Sequence, residues 1–162
     1  MTSQASLLLR QAGEGDLDQV VQIERESFGD PWSRESFRSS LASDRMRFLV
    51  AEEVRDGEAG ERGLAGYVIA LLLFDEAEIA NIAVSAHARR RGIGGLLLDQ
   101  AVAEAAERGV GAVYLEVRES NTGARALYES RSFAQVGRRR GYYRHPTEDA
   151  LLLRRDIALG LK

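Results

Sequence analysis

The stretch from Asn81 to Val102, "NIAVSAHARRRGIGGLLLDQAV", constrains this chain most. An apolar segment runs through three arginines into a glycine-rich turn, and a leucine-rich helical pattern follows. A helix start leaves backbone N–H groups unpartnered, and the aligned peptide dipoles put partial positive charge there. Gly92, Gly94 and Gly95 remove side chains that would hold a ligand off that backbone. Arg89, Arg90 and Arg91 add charge beside it. The pattern describes an anion cradle at a helix N-terminus; a tight strand-to-helix turn with solvated arginines satisfies the same residues. Two nucleotide motifs fit badly. A mononucleotide phosphate loop needs a lysine after its glycines, and Lys162 is the only lysine in the chain. The dinucleotide fingerprint G-x-G-x-x-G needs a third glycine where Leu97 stands, and it belongs in the first strand–helix unit, whereas this turn falls past the middle of the chain. The implied anion belongs to another phosphate-bearing cofactor.

The rest of the composition narrows the class. A chain of 162 residues, 44% hydrophobic and 29% charged, fits one soluble domain, residues 1–162. It has no cysteine, which excludes disulfides, thiolate metal sites and a cysteine nucleophile. His87 and His145 form no ligand-spaced motif, so no metal is expected. The N-terminus lacks a basic segment with a long apolar run, and no apolar stretch approaches the ~20 residues that span a bilayer. A cytoplasmic protein without membrane contact is expected. A net charge of -3 argues against general nucleic-acid binding. The local clusters "HARRRG" and "GRRRGYYRH" suit a small anionic ligand better than a polyanion, or are simply solvated faces.

Periodicity and breakers predict strands at residues 6–12, 46–54, 64–74, 78–85, 110–120, 134–145 and 149–157. Helices are predicted at 15–28, with Asp16 as a candidate N-cap, after Pro31 with Ser33 and Ser36 capping, at 95–108 and at 121–133. The glycine-rich segment 55–63 reads as a hairpin loop, and the last two strands as a hairpin. In the fourth strand Ile79, Asn81 and Ala83 alternate with Ala80, Ile82 and Val84. The order is β-α-α-β-β-β-α-β-α-β-β, a mixed α/β (α+β) sheet rather than a regular βαβ repeat.

This order, with an arginine–glycine turn after the fourth strand, resembles the GNAT acetyltransferases. Arg89, Gly92 and Gly94 meet their signature, Arg or Gln, two residues, Gly, one residue, Gly or Ala. "DPWS", "DEAEIANIAV", "LEVRESNTGARALYESRSF" and "RRRGYY" extend the resemblance to the RimI-like branch, which acetylates the N-termini of ribosomal proteins. The resemblance covers nearly the whole chain. It implies a mostly antiparallel central sheet of about seven strands flanked by about four helices, with acetyl-coenzyme A as cosubstrate. The pyrophosphate would meet the N–H groups of Arg90, Arg91, Gly92, Ile93, Gly94 and Gly95. Ile82, Ala83 and Val84 would offer backbone groups to the pantetheine arm, with an oxyanion-hole N–H near Val84. Asn121 reads as an N-cap, and the resemblance also places it near the cofactor. Two departures stand out: many relatives carry Arg, Ser or Thr where this chain has Gly95, and a glycine where it has Ser132, a helix-end position that favours positive φ.

Acetyl transfer to an amine needs the amine neutral and the leaving thiolate protonated. In "AVYLEV", Ala112, Tyr114 and Glu116 share one strand face, and Val113, Leu115 and Val117 the other. The resemblance makes Glu116 the general base, acting through water; the alternative is a sheet-face carboxylate paired with an arginine such as Arg118. It makes Tyr128 the acid for the leaving sulfur, although helical spacing also allows Tyr128 to be core beside Leu127 and Phe133. At pH 7 roughly a tenth of a peptide α-amine is neutral, against less than a thousandth of a lysine amine. One modest base therefore serves an N-terminal acceptor far more easily, and the resemblance implies a ribosomal protein that begins with Ala. Trp32 and Tyr142 are candidates to line the acceptor cleft, with Trp32 equally read as the staple of a helix junction. The competing readings are an acetyltransferase for a small-molecule amine and a cofactor-binding module without catalysis.

Overall fold

The structure, a computed structural model, describes residues 5–55 and 62–158. Seven strands and four helices follow one another as β1 (Ala5–Gln11), α1 (Leu17–Ser27), α2 (Arg34–Ala42), β2 (Met46–Arg55), β3 (Arg62–Leu73), β4 (Glu76–Val84), α3 (Ile93–Glu107), β5 (Ala112–Arg118), α4 (Thr122–Ser130), β6 (Ala134–Tyr143) and β7 (Glu148–Asp156). The element order agrees with the sequence expectation. The loop expected at 55–63 lies mostly outside the described residues. The strands form one sheet in the order β1-β2-β3-β4-β5-β7-β6. Every neighbouring pair is antiparallel except β4 and β5. That parallel pair needs a crossover, and α3 supplies it.

The two sheet faces carry separate cores. On one, Leu97, Leu98, Ala101 and Ala105 of α3 and Tyr128 of α4 pack on Val68, Ala77, Ile79, Val113, Leu115 and Val117. On the other, Leu17, Val20 and Ile23 of α1 and Phe37 of α2 pack on Phe48, Val50, Tyr67, Ile69 and Ala83. Phe37 anchors this second core, its ring 5.4 Å from Trp32, 6.0 Å from Phe48 and 5.6 Å from Tyr67. Helices α1 and α2 pack mainly on β2 to β4, and the same face of β5 is left half-buried at Tyr114, Glu116 and Arg118.

Three local expectations are corrected. Asp16 does not cap α1 with its side chain; both its oxygens take Arg10, at 2.8 Å each, and Oδ2 also accepts from the Gly13 N–H. Helix α3 begins at Ile93 rather than Gly95, because Gly92 takes the left-handed conformation, φ 77°, and starts the helix as its N-cap. The alternation in β4 does not persist. Ile69 pairs with Asn81 and Ala70 with Ile79, so Ala80 is the extra residue of a β-bulge. The pleat phase flips across it: Ala77 and Ile79 face the α3 core before the bulge, and Ile82 and Val84 face it afterwards. Ala83 joins the α1 core instead.

Candidate active site

The bulge sits where the sheet opens. β4 and β5 pair only from Glu76 opposite Ala112 to Ile79 opposite Leu115. Beyond Ala80 the strands part, leaving the β5-facing edge of Ala80–Val84 without a strand partner among the described residues. In such an edge every second residue turns its N–H and C=O outward, and an extended chain can dock there as a strand would. Ile82, Ala83 and Val84 lie on this edge.

The arginine–glycine turn closes one end of the opening. Arg90 takes φ 66° and Gly92 φ 77°, which folds the turn onto the start of α3. The first helical bond there runs from the Leu96 N–H to the Gly92 carbonyl, 3.1 Å, so the N–H groups of Ile93, Gly94 and Gly95 precede the helical ladder. Gly94 faces Leu127 of α4 and Val84 of β4, with a Cβ there 3.3 and 3.5 Å from them. The arginine side chains divide. Arg89 Nε donates to the Val84 carbonyl at 3.2 Å. Arg91 Nη1 donates to buried Glu53 at 2.6 Å, so what Arg91 offers the turn is its backbone. Arg90 stays exposed. Ile93 is buried and contributes its N–H alone.

Glu116 stands on the half-buried face of β5, at the rim of the parting strands. Its partner is not Arg118, which is held by Glu148 and by the carbonyls of Arg144 and Pro146. Arg139 of β6 takes that place, with Nε 2.8 Å from Oε1; the Glu116 side chain is 13% exposed and the guanidinium 58%. Tyr142 also leans on Glu116, and this acceptor, with partial burial, raises the phenol's pKa. The Tyr142 ring meets Tyr143 edge-on at 5.1 Å and lies beneath Arg139. Two further members escaped the sequence reading. Glu78, level with Tyr114 across the parallel pair, is half-buried; burial and then the Glu116 charge raise its pKa, against the pull of Arg139. Tyr143 is raised by burial first and then by Glu116, and it also feels Tyr128. Period-two spacing from Glu116 and Tyr142 was the available signal for neither: Glu78 lies on another strand, and Tyr143 on the opposite pleat.

Tyr128 is the buried residue of α4, 6% exposed, with Leu127 only partly covered. Its ring packs edge-on against Phe133 at 6.1 Å. Burial pushes its pKa up to about 12. No side chain among the described residues accepts its hydroxyl. Asn121 caps α4, accepting from the Ala124 N–H at 3.1 Å. Ser132 takes φ 70° at the end of that helix, a positive value that glycine adopts most readily.

The far wall carries the largest omission from the sequence reading. Glu24 of α1 is 1% exposed. Its Oε1 accepts from the Trp32 N–H at 3.1 Å, and its Oε2 accepts from the Tyr67 hydroxyl and from Asn81 Nδ2 at 2.8 Å. Burial and the Glu24 charge drive the Tyr67 pKa upward. A helical periodicity hides Glu24, because a glutamate among α1 residues reads as a solvent-side position. Trp32 staples the α1–α2 junction and is partly buried there. Its loop abuts the β6–β7 hairpin that carries Tyr142: a Cβ on Gly29 would come 2.9 Å from the His145 carbonyl oxygen. Trp32 thus lies in a loop that touches the hairpin bearing Tyr142 near the end of β6. Among the described residues no His, Asp and Glu side chains gather into a metal-binding group of three, and no helix is long and apolar enough to cross a membrane.

Known proteins resemble this chain in sequence and fold. The model of the acetyltransferase (GNAT) family matches residues 17–133. The ribosomal protein bS18-alanine N-acetyltransferase of Escherichia coli strain K12 is 36% identical over 148 residues, 89% of this chain and 93% of that protein. The putative enzyme of the same description from Bacillus subtilis strain 168 is 36% identical over 139 residues, 85% of this chain and 87% of that one. The crystal structure of the ribosomal-protein-S18-alanine N-acetyltransferase from Escherichia coli superposes with a TM-score of 0.83 at 31% identity, covering 97% of each chain. With the family model spanning more than half its length, this chain belongs to the GNAT family of acetyltransferases.

Proposed function

We propose that the chain acts as one acetyltransferase domain that moves the acetyl group of acetyl-coenzyme A onto the N-terminal α-amine of a protein, a ribosomal protein beginning with Ala being the first candidate, in the cytoplasm. The observation that carries this reading is the parting of β4 and β5, with Glu116 on its rim and the Arg90–Gly95 turn at its end. The relatives named for bS18-alanine N-acetylation support the acceptor.

Acetyl-coenzyme A supplies an activated thioester; the chain's own groups do the rest. The free N–H groups at the start of α3 bind the pyrophosphate, with Gly94 letting α3 lie close to Leu127 and Val84. The vacant edge of Ile82–Val84 orients the extended arm, and Asn121 stands at the start of α4 beside it. The acceptor enters between the Trp32 loop and the Tyr142 hairpin. Glu116, through water, takes the proton of the incoming ammonium, and Glu78 adds a second negative charge where that ammonium must come to rest.

Tyr128 donates toward the sulfur. Its pKa of about 12 lies above a thiol's ~8.5, so complete proton transfer is uphill by about 5 kcal/mol. Tyr128 therefore acts as a hydrogen-bond donor that stays protonated while charge develops on sulfur. The low pKa of a peptide α-amine, about 7.7–8.0, lets a single carboxylate serve as base far more easily than it would for a lysine side chain at ~10.4.

Acetyl-coenzyme A turnover against short peptides that differ only in the first residue tests the reading, with a blocked N-terminus and an internal lysine as controls. Turnover on free Ala- or Ser-starting peptides, lost on blocking, is the expected result. Activity on small amines with none on any peptide would overturn the acceptor. Glu116→Gln is expected to lower kcat about 100-fold or more, while acetyl-coenzyme A affinity stays within about twofold; an unchanged kcat removes Glu116 from the base role.

A further inference from the structure

Residue 95 lacks a side chain, yet the space of that side chain is filled. A Cβ on Gly95 would lie 2.0 Å from Nη2, 2.3 Å from Cζ and 2.9 Å from Nε of Arg131. Arg131 comes from the C-cap of α4, and its guanidinium rests directly on the backbone of α3. Helical side chains leave tilted toward the N-terminus, so this space lies over the first turn of α3. The guanidinium is held from behind. Asp99, one helical turn beyond Gly95, accepts from Nε at 3.1 Å, and Ser130 Oγ accepts from Nη1 at 3.2 Å. Nη2, the atom nearest Gly95, has no acceptor among the described residues.

The charge around the turn makes this placement consequential. Of the three consecutive arginines, Arg91 is neutralised by Glu53 and Arg89 is tied to the Val84 carbonyl. The pair of Arg131 with Asp99 is partly solvated and weak, so it does not cancel the field that a multiply charged phosphate would feel.

We propose that Arg131 is a cofactor-anchoring residue, which donates from Nη2 to a phosphate of acetyl-coenzyme A at the Gly92–Gly95 turn and so supplies from α4 the cation that α3 lacks at position 95. The proposal rests on the reading that this turn holds the cofactor's phosphates. Glycine at 95 is then a requirement rather than a loss: any side chain there evicts the guanidinium.

Steady-state kinetics with acetyl-coenzyme A and with acetylpantetheine, which carries the same thioester and no phosphate, test it in wild type, Arg131→Ala and the Gly95→Arg/Arg131→Ala double variant. Arg131→Ala is expected to raise the KM for acetyl-coenzyme A about tenfold, the size of one lost charge-assisted hydrogen bond at a partly solvated site. The loss falls on KM rather than kcat, and the KM for acetylpantetheine does not follow. Restoring a cation from α3 with Gly95→Arg recovers most of the tenfold. An unchanged KM in Arg131→Ala, or an equal rise for acetylpantetheine, overturns the proposal, the second marking a loss of structure. Amide resonances of Ile93, Gly94 and Gly95, followed while coenzyme A is added to the wild type, separate the two readings. If they shift while Arg131→Ala has no effect, only the role of Arg131 falls; if they do not shift, the turn reading falls and the proposal with it.

Discussion

Replacing Glu24 tests whether one buried carboxylate ties the two walls of the cleft together. Glu24 is the acceptor for three donors: the Trp32 backbone N–H, the Tyr67 hydroxyl and the Asn81 amide. Glu24→Leu keeps the volume and strands all three. A buried donor left without a partner costs about 1–3 kcal/mol, and the added apolar burial returns about 1–2 kcal/mol. Three such donors outweigh that return by roughly 1–8 kcal/mol, with about 4 kcal/mol as the central expectation, which in a chain of this length lowers Tm on the order of 10 °C. Glu24→Gln keeps one oxygen for Trp32, and its new amide can pair with Asn81 once that side chain turns about. It should cost only about 1–2 kcal/mol. Urea unfolding at constant slope measures both. Because Trp32 borders the acceptor loop and Asn81 lies just past the bulge, residual folded Glu24→Leu should also show a raised acceptor KM. If Glu24→Leu costs under about 1 kcal/mol, or if Leu and Gln cost the same, the three hydrogen bonds are not what holds the walls.

Other outcomes follow from single contacts. Gly66→Ala would put a Cβ 2.7 Å from the Ala83 carbonyl oxygen and 3.2 Å from Leu97 Cδ1, so it should destabilise by about 1–3 kcal/mol and weaken acetyl-coenzyme A binding by displacing the vacant edge of β4; thermal unfolding and cofactor titration check it. Glu78 has a raised folded pKa, so the native state binds its proton more readily than the unfolded chain does, and the site loses stability as pH rises from the ordinary glutamate range. Glu78→Gln should therefore stabilise the protein at pH 7, by under about 1 kcal/mol after solvent screening, with the gain vanishing below about pH 4.5; Tm measured against pH reads this directly. Tyr128 is raised as well, to about 12, so its stabilising protonation is present below about pH 10 and is lost as pH climbs from there. Tyr128→Phe should flatten that alkaline loss and lower kcat about tenfold or more, measured by unfolding above pH 9 and by turnover at pH 8.

The element order was legible in the sequence, because most strands and helices here keep a regular period, and so were the Arg89–Gly95 turn, Glu116 and Tyr128 as candidates, because they sit in local patterns. It did not carry what depends on pairing across the sheet. Nearness in sequence offers Arg118 as a partner for Glu116, yet β6 lies beyond β7 and brings Arg139 onto it. Glu24 and Glu78 were invisible as site residues because their partners come from other elements: Tyr67 and Asn81 for the first, Glu116 and Arg139 for the second. The Ala80 bulge was likewise hidden, since one extra residue leaves an apolar segment apolar and changes only its phase.

That one residue organises the cleft. Without the bulge, residues 81 and 83 would stay in phase with Ala77 and Ile79 and face the α3 core, as period-two pleating requires. Asn81 would then meet Leu97 and its neighbours instead of Glu24, and an amide would be buried without a partner. With it, Asn81 turns to the α1 face and joins the Glu24 network, Ile82 and Val84 fill the α3 core, and the strand bends at the place where its pairing with β5 ends. Deleting Ala80 should thus be far worse than replacing it. Ala80→Gly leaves the register intact, whereas the deletion flips every side chain from Asn81 to Val84. If a folded deletion variant kept both its stability and its cofactor binding, the cleft would owe its opening to something other than the bulge.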